Sequence, residues 1–280
     1  MERTLVLHCT TIATPQRTAI VGASAADHVL VHFATVADLL PRILDLSALL
    51  DKHEQDRAER FVHAIDRERY VLGHGYLREV LGSATGHAPE AITFQRGRFG
   101  KPTIDGSALH FNFSDTKDAV LVGIAHHELG VDIETMARRV DHERVAQHYF
   151  TPEEIAAIQE AGARAGAGAG ALSVRAQSRT GAAALGAKRM FLDFWTRKEA
   201  VLKASGVGIM DDLRALRVDA RRNEVRIAHD DFVRMAAPEY HVRSFAIGEE
   251  HLVSLATAMP SALSFTDQPL TPPRRTSDGS

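Results

Sequence analysis

The sequence predicts an α+β protein, and three observations support this class. Hydrophobic residues make up 45% of the 280 residues, which is enough for a substantial core. Short apolar or alternating runs that are typical of strands are interspersed with longer helical patterns. A strand-helix-strand-strand order occurs twice, before and after about residue 127. No convincing residue-level repeat accompanies it, so the sequence only suggests a duplicated architecture of two similar subdomains.

The N-terminal subdomain is predicted to span residues 1–127. Its first clear strand covers residues 28–34, and a helix follows at 47–61. Asp66 is a plausible N-cap for a second helix, whose apolar pattern extends to Leu81. Short strands are then expected near 91–96, 110–114 and 118–126.

The C-terminal subdomain is predicted to span residues 128–259. Thr151 and Glu154 form a potential capping box, and Pro152 suits the first turn of the helix that they begin. A further helix is expected at 188–205. Strands are expected at 129–134, 215–219, 224–228, 241–247 and 251–257.

Two segments lack the bulky apolar residues that a core needs. Residues 161–187 are rich in Ala, Gly, Arg and Ser, and we expect a mobile insert that contributes little to packing. The Gly-Ala repetition there is not a nucleotide-binding fingerprint, because no strand precedes it. Residues 260–280 are rich in Pro, Ser and Thr, and a disordered tail is expected.

Charge, cysteine content and hydropathy exclude several classes of protein. A net charge of −3 argues against a general nucleic-acid binder, which is usually strongly basic. Cys9 is the only cysteine, so no internal disulfide can form. The apolar run at residues 5–7 is too short for a signal peptide or a membrane span. We expect a cytoplasmic monomer with no membrane or nucleic-acid partner.

A strand and a helix carry the charged residues that point to chemistry. Asp132 and Glu134 alternate with apolar residues, so both carboxylates face one side of their strand. Trp195, Glu199 and Lys203 share one side of the later helix. If the two elements meet, three carboxylates and one ammonium converge in a site suited to a hard divalent cation that holds a phosphate. Core packing is the expected role of the tryptophan.

Each charged residue also has an ordinary structural interpretation. Asp132 and Glu134 can form a solvated strand face, and Lys203 can form a surface pair with Glu199, worth about 0.3–0.5 kcal/mol. Lys198 lies on another side of the helix and is interpreted as a surface lysine. The spacing of the histidines indicates no zinc site, and the sequence contains no P-loop.

Five motifs together resemble those of a known family. The segments 130–134 (Gly-Val-Asp-Ile-Glu) and 195–203 (Trp-Thr-Arg-Lys-Glu-Ala-Val-Leu-Lys) are similar to the two signature motifs of the 4′-phosphopantetheinyl transferases of the surfactin-synthetase-activating type. Upstream, Gly100-Lys101-Pro102 resembles the family's Gly-Lys-Pro turn, and residues 110–114 resemble its Phe-Asn-x-Ser strand. Arg69 and the following segment from Leu72 to Arg78 resemble the family's phosphate-binding helix. Each motif alone is weak, but five in the correct order over about residues 28–257 are specific.

The resemblance implies a fold, a reaction and a metal. The fold has two similar α+β halves with the active site between them. Coenzyme A donates its phosphopantetheine arm to a serine of an apo carrier protein, and 3′,5′-ADP leaves. Mg²⁺ is the usual metal. The carriers implied are those of fatty acid, polyketide and non-ribosomal peptide biosynthesis.

The resemblance also implies roles for individual residues. Asp132, Glu134 and Glu199 would bind Mg²⁺, and Lys203 would stabilise charge on the pyrophosphate leaving group. The proton of the carrier serine would pass to Glu199 or to a metal-bound water, and the sequence does not choose between them.

A second group of residues would hold coenzyme A itself. Arg69 and Lys101 would bind its 3′-phosphate, and the hydroxyl of Ser114 would contribute a hydrogen bond. Asp115 stands where the family commonly has a histidine that helps to hold coenzyme A. An acid there is repulsive toward phosphate unless it is turned away.

Two other functions remain open at this point. The first is another Mg²⁺-dependent enzyme that acts on a pyrophosphate ester with the same acids. The second is a non-catalytic module that binds coenzyme A or a carrier protein, for which Asp115 would be a sign of drift. Because all three acids and Lys203 are present, the sequence favours an enzyme.

Overall fold

Two β-sheets packed face to face, each covered on its outer side by a long helix, form the computed structural model of this protein. The structure describes residues 2–16, 27–170, 176–208 and 212–267. Its mixture of sheets and helices confirms the predicted α+β class. The predicted pseudo-twofold relation between the halves stays a prediction.

The described part of the chain forms the following elements. The strands are β1 (Arg3–Thr11), β2 (His28–Thr35), β3 (Phe94–Arg96), β4 (Pro102–Ile104), β5 (His110–Asp115), β6 (Ala119–Ala125), β7 (Leu129–Thr135), β8 (Arg222–Ile227), β9 (Glu239–Ile247), β10 (His251–Thr257) and β11 (Ala262–Thr266). The α-helices are α1 (Val36–Leu39), α2 (Ile43–Ser47), α3 (Lys52–Glu59), α4 (Ala64–Thr85), α5 (His142–Tyr149), α6 (Pro152–Gly170), α7 (Ala176–Ser205) and α8 (Asp230–Met235).

Each end of the chain contributes a strand to the sheet of the other half. One sheet has the strand order β7-β10-β9-β1-β8, so the N-terminal strand lies among C-terminal strands. The second large sheet has the order β11-β2-β6-β5, so a strand from the predicted tail pairs with β2. A small third sheet consists of β3 and β4. The predicted boundary at residues 127 and 128 therefore separates the sheets only in the middle of the chain. The predicted disordered tail is wrong for residues 262–266, and residues 268–280 lie outside the described residues.

Several predicted elements differ from the structure in their limits. The helix predicted at 47–61 is divided, because Asp51 starts α3 with a capping box to Glu54. Asp66 lies in the first turn of α4 rather than at its N-cap. No strand forms at 215–219, where a 3₁₀ turn, Leu213–Ala215, is followed by irregular chain. The capping box of Thr151 and Glu154 is confirmed by hydrogen bonds in both directions.

The core between the sheets fixes the direction of the functional strand β7. Val131 and Ile133 are buried there among apolar residues of β2, β6, β9 and β10. Alternation along the strand turns Asp132 and Glu134 to the opposite face, which α7 covers. The predicted alternation of β7 is therefore confirmed, although both acids are buried rather than solvated.

A glycine allows α7 to lie directly on β7. A Cβ atom at Gly130 would collide with the carbonyl oxygen of Ala200 and the backbone nitrogen of Ala204. Only glycine lets the two backbones approach this closely. The first residue of the Gly-Val-Asp-Ile-Glu motif therefore sets the distance between the acid pair and the helix that carries Glu199 and Lys203.

The predicted mobile insert is largely helical. Residues of α6 and of the first half of α7 pack against each other through alanine and glycine. A Cβ at Gly162 would lie 2.9 Å from the Ala183 carbonyl oxygen, and one at Gly186 would lie 2.6 Å from Ala165 Cβ. Alanine favours helix, and small side chains allow close helix packing without bulky apolar residues. Residues 171–175 lie outside the described residues.

This packing leads to a stability prediction for a single glycine. Gly186→Val is expected to lower the free energy of unfolding by about 1–3 kcal/mol, because the added methyl groups would force the helices apart. Gly181→Ala in the same helix is the matched control, since a Cβ there would meet no atom within 4 Å. Urea unfolding measures both variants. A Gly186 variant as stable as the control would contradict the tight packing of α6 on α7.

Candidate functional site

The predicted acid pair and the predicted helix meet in the structure. Lys203 Nζ donates to Asp132 Oδ1 at 2.6 Å and to Ser114 Oγ at 2.9 Å. Ser114 Oγ in turn donates to the same Asp132 oxygen at 2.9 Å. Asp132 is 6% exposed, so this network is screened little by solvent. The network joins strands of both sheets to α7.

Strand β5 of the second sheet holds β7 in place from the side. The Val131 N–H donates to Asn112 Oδ1 at 2.9 Å, and the Ile133 N–H donates to Ser114 Oγ at 3.3 Å. The Phe-Asn-x-Ser motif thus contacts the backbone on both sides of Asp132. The buried hydroxyl of Ser114 is already engaged with protein groups, and its direct role in holding coenzyme A stays a prediction.

Glu134 has a cationic partner that the sequence analysis missed. Arg138 forms an ion pair with Glu134, and its guanidinium lies 5.5 Å from the centre of the Trp195 ring. The tryptophan also packs against the core beside Phe191, as predicted. The only signal in the sequence is the position of Arg138 four residues after Glu134, just past the end of the strand.

The charges of Asp132, Lys203 and Arg138 affect the ionisation of Glu199. Burial raises the pKa of its carboxyl, and the nearby charge of Asp132 raises it further, while Lys203 and Arg138 lower it. Trp195, Glu199 and Lys203 therefore share the side of α7 that faces the acids of β7, as predicted.

The acids supply the donor type that Mg²⁺ binds, although they are not drawn together. The carboxylate oxygens of Asp132, Glu134 and Glu199 do not all lie within 4.8 Å of one another. Lys203 and Arg138 hold two of them instead. Carboxylate oxygens suit a hard divalent cation, and such an ion would relieve the repulsion that raises the Glu199 pKa. The residues present therefore fit Mg²⁺.

A cavity of about 400 Å³ opens beside this network, between α4 and the end of β5. Arg69 and His74 of α4 line it together with Asp115 and Lys117. Aromatic side chains complete the wall: Phe61, Tyr70 and Phe113. Cationic groups beside aromatic surface can hold a phosphate and a base ring. The structure thus brings Arg69 and Asp115 together, as predicted.

Asp115 connects the cavity to the acid network. Its side chain is exposed toward the cavity, whose walls limit its contact with bulk water. Desolvation raises the pKa of its carboxyl, and the charges of His74, Lys203 and Arg69 lower it, whereas that of Asp132 raises it. The cavity wall thus contains two acids, Asp115 and Asp66, and the second of them pairs with Arg69 at 3.3 Å.

The structure does not bring Lys101 and Arg69 together, and their predicted shared role at the 3′-phosphate stays a prediction. The Lys101 ammonium forms an ion pair with Glu128 and donates to the carbonyl oxygens of Leu129 at 3.1 Å and Ala204 at 3.3 Å. It is not among the residues that line the cavity. Lys101 instead ties the start of β7 to the end of α7. These contacts fix the Gly-Lys-Pro turn against the start of β7 and the end of α7.

Lys198 is not the surface lysine that the sequence suggested. It is 0% exposed, and its ammonium donates to Glu154 Oε2 at 2.8 Å and to the Leu213 carbonyl oxygen at 2.9 Å. The ammonium also lies 4.7 Å from the centre of the Phe150 ring. Burial lowers the pKa of Lys198, while the Glu154 carboxylate opposes that change.

Comparison with protein families covers most of the chain. Residues 128–256 match the model of the 4′-phosphopantetheinyl transferase superfamily, and residues 41–128 match that of the 4′-phosphopantetheinyl transferase N-terminal domain. The two matches meet at the junction between β6 and β7. They also span the cavity and the acid network.

Individual relatives agree with these matches. A phosphopantetheinyl transferase of Thraustochytrium sp. is 30% identical over 221 residues, which cover 75% of this chain and 71% of the relative. The 4′-phosphopantetheinyl transferase HetI of Nostoc sp. is 30% identical over 173 residues, covering 60% of this chain and 64% of the relative. The 4′-phosphopantetheinyl transferase gsp of Aneurinibacillus migulanus is 26% identical over 182 residues, covering 65% and 67%.

The extent of these matches differs among the relatives. The chain spans just under two thirds of the length of HetI and 63% of a putative 4′-phosphopantetheinyl transferase of Synechocystis sp.. The Thraustochytrium alignment is longer and covers more than two thirds of both chains. With the matched family models and the motifs on β5, β7 and α7, these alignments show that the chain belongs to the 4′-phosphopantetheinyl transferase superfamily.

Proposed function

We propose that this protein transfers the 4′-phosphopantetheine arm of coenzyme A to a serine of an apo carrier protein and releases 3′,5′-ADP. The observation that carries the proposal is the direct contact of Lys203 with Asp132 and Ser114, at the edge of a basic cavity. Membership of the superfamily supports the same reaction.

Coenzyme A is the proposed occupant of the cavity. Arg69 is the proposed ligand of its 3′-phosphate, because a guanidinium can hold two phosphate oxygens at once. The aromatic wall offers stacking surface for the adenine. Arg69 lines the cavity beside Asp66, with which it pairs at 3.3 Å, whereas Lys101 lies outside the cavity and is left out of this role.

Asp132, Glu134 and Glu199 are the proposed ligands of Mg²⁺. When bound, the ion supplies positive charge to the pyrophosphate of coenzyme A, which needs neutralisation more than covalent chemistry. Lys203 is partly exposed, so its ammonium is in a position to stabilise charge on the departing 3′,5′-ADP.

No helix in the described ranges is long and apolar enough to cross a membrane.

Glu199 is the proposed acceptor of the proton from the carrier serine. A general base works best when its pKa lies near the operating pH, and the pKa of an ordinary glutamate lies well below it. Burial and the Asp132 charge shift the Glu199 pKa toward that pH. This shift belongs to the protein without the ion, whose charge would oppose it. A metal-bound water is therefore the alternative proton acceptor.

A mass measurement on the carrier protein tests the reaction. Incubation with coenzyme A, Mg²⁺ and an apo carrier should add the mass of one phosphopantetheine to the carrier. A carrier whose acceptor serine is replaced by alanine is the control. Hydrolysis of coenzyme A without carrier modification would indicate another Mg²⁺-dependent enzyme, and binding without chemistry would indicate a binding module. Rates across fatty acid, polyketide and non-ribosomal peptide carriers would identify the preferred pathway.

The position of Asp115 predicts a change in the KM for coenzyme A. Asp115→His should lower this KM, because the substitution removes a negative charge beside the phosphates and can add a hydrogen-bond donor. The value of kcat should change little, since the contact serves the ground state and the transition state alike. Steady-state kinetics with varied coenzyme A measure both constants.

The same variant tests the alternative role of Asp115 as an acceptor in the following turn. The Thr116 N–H already donates to the Ala119 carbonyl oxygen at 2.9 Å, which leaves that amide satisfied. Glu160→His, on an exposed part of α6, controls for a surface histidine. A lower melting temperature with an unchanged KM would remove Asp115 from the coenzyme A site.

A further inference from the structure

A second cluster of potential metal ligands lies on the sheet that carries the acid network. His8 is on β1, and Glu239 and His241 are on β9. The parallel pairing of these strands places His8 directly opposite His241. Glu239 is two residues before His241, so it shares the same face. Side chains from opposite ends of the chain therefore meet, which no local spacing of histidines could indicate.

The three side chains already have the spacing of ligands around one ion. His8 Nε2 lies 3.5 Å from Glu239 Oε2, and His241 Nε2 lies 3.6 Å from Glu239 Oε1. Ligands held about 2.0–2.2 Å from a tetrahedral zinc ion are separated by about 3.3–3.6 Å. The imidazole rings are stacked, with centroids 4.8 Å apart. Among the described residues, this is the trio whose ligand atoms all lie within 4.8 Å of one another.

An unsatisfied nitrogen points to a missing partner at this place. His241 Nε2 is buried and has no hydrogen-bond partner. A buried polar atom without a partner is costly, and a coordinated ion would satisfy it. Of the cationic neighbours, Arg222, directly opposite His8, forms an ion pair with Glu224. Arg243 lies two residues after His241 on the same face and has a buried Nη2 without a hydrogen-bond partner, so its charge opposes a cation and the Glu239 carboxylate must offset it.

We propose that His8, Glu239 and His241 form a zinc site. Two imidazoles and one carboxylate are ligands typical of Zn²⁺ in proteins, and the side chains of His8 and Glu239 are 33% and 47% exposed, so a water molecule can complete the coordination. Tyr240 and Val242 on β9 belong to the core against α7, so the trio faces away from that helix and from Asp132. The site links β1 to β9 and acts on stability rather than on transfer.

Calorimetry on the full chain tests the site directly. With Mg²⁺ in excess to occupy the carboxylates of the acid network, Zn²⁺ should bind at one equivalent and raise the melting temperature. His8→Ala and His241→Ala should each weaken Zn²⁺ binding at least about tenfold, as loss of a ligand requires. His87→Ala, at an exposed histidine of the loop after α4, is the matched control and should bind like the wild type.

X-ray absorption of the zinc-loaded wild-type protein gives a test that needs no variant. The expected spectrum contains two imidazole ligands and an oxygen ligand. Oxygen ligands alone would place the ion at the acid network and overturn the proposal. Equal zinc affinity in the wild type and in both histidine variants, or no saturable binding, would overturn it as well.

Discussion

Asp132→Asn is expected to lower kcat/KM for carrier modification by at least about 10²–10³-fold, the effect of removing one preorganised electrostatic contact. Asparagine keeps the shape of the side chain and an oxygen for Ser114, but it removes the charge that faces Lys203. It would also leave the proposed Mg²⁺ site with one carboxylate fewer. The loss should appear mainly in kcat, because Asp132 positions the Lys203 ammonium, which stabilises the charge that develops on the leaving group.

The metal assignment in this prediction has its own readout. Mg²⁺ should raise the melting temperature of the wild-type protein and leave that of Asp132→Asn unchanged. Asp56→Asn, at an exposed aspartate of α3, is the control and should retain both activity and the response to Mg²⁺. Near-normal turnover of Asp132→Asn would show that this carboxylate does not serve the reaction.

The arrangement of β7 and α7 could be predicted because it depends on local periodicity. A strand repeats every two residues, so Asp132 and Glu134 had to share a face, and the helical repeat aligned Glu199 with Lys203. Their meeting needed the close approach at Gly130, for which the sequence offered only the glycine itself. The family resemblance supplied the expectation that the strand and the helix belong together.

The features that escaped prediction depend on partners far away in the chain. Lys198 was interpreted as a surface lysine and Lys101 as a phosphate ligand, because the carbonyl and carboxylate partners of both come from other elements. The place of β1 beside β9 could not be inferred from a short apolar run. The Ala/Gly segment was misjudged for a different reason, since lack of bulky side chains excludes an ordinary core but not close helix packing.

The buried ion pair of Lys198 and Glu154 should have the largest effect on stability. Both side chains are 0% exposed, and Glu154 also accepts the Val218 N–H at 2.9 Å through its second oxygen. The pair therefore joins α6, α7 and the chain before β8. Removing one member leaves the other charge buried and uncompensated, which costs far more than the loss of a surface pair.

Lys198→Ala is expected to lower the free energy of unfolding by about 3–5 kcal/mol, as measured by urea denaturation. The double variant Lys198→Met with Glu154→Gln should recover much of this loss, because neither residue is then charged and the glutamine oxygen can still accept the Val218 N–H. Lys52→Ala, which breaks an exposed pair with Asp56, should unfold at nearly the same urea concentration as the wild type.

If Lys198→Ala behaved like Lys52→Ala, the ammonium would be hydrated rather than buried. A double variant less stable than Lys198→Ala would show that the cost comes from lost packing and not from the stranded charge.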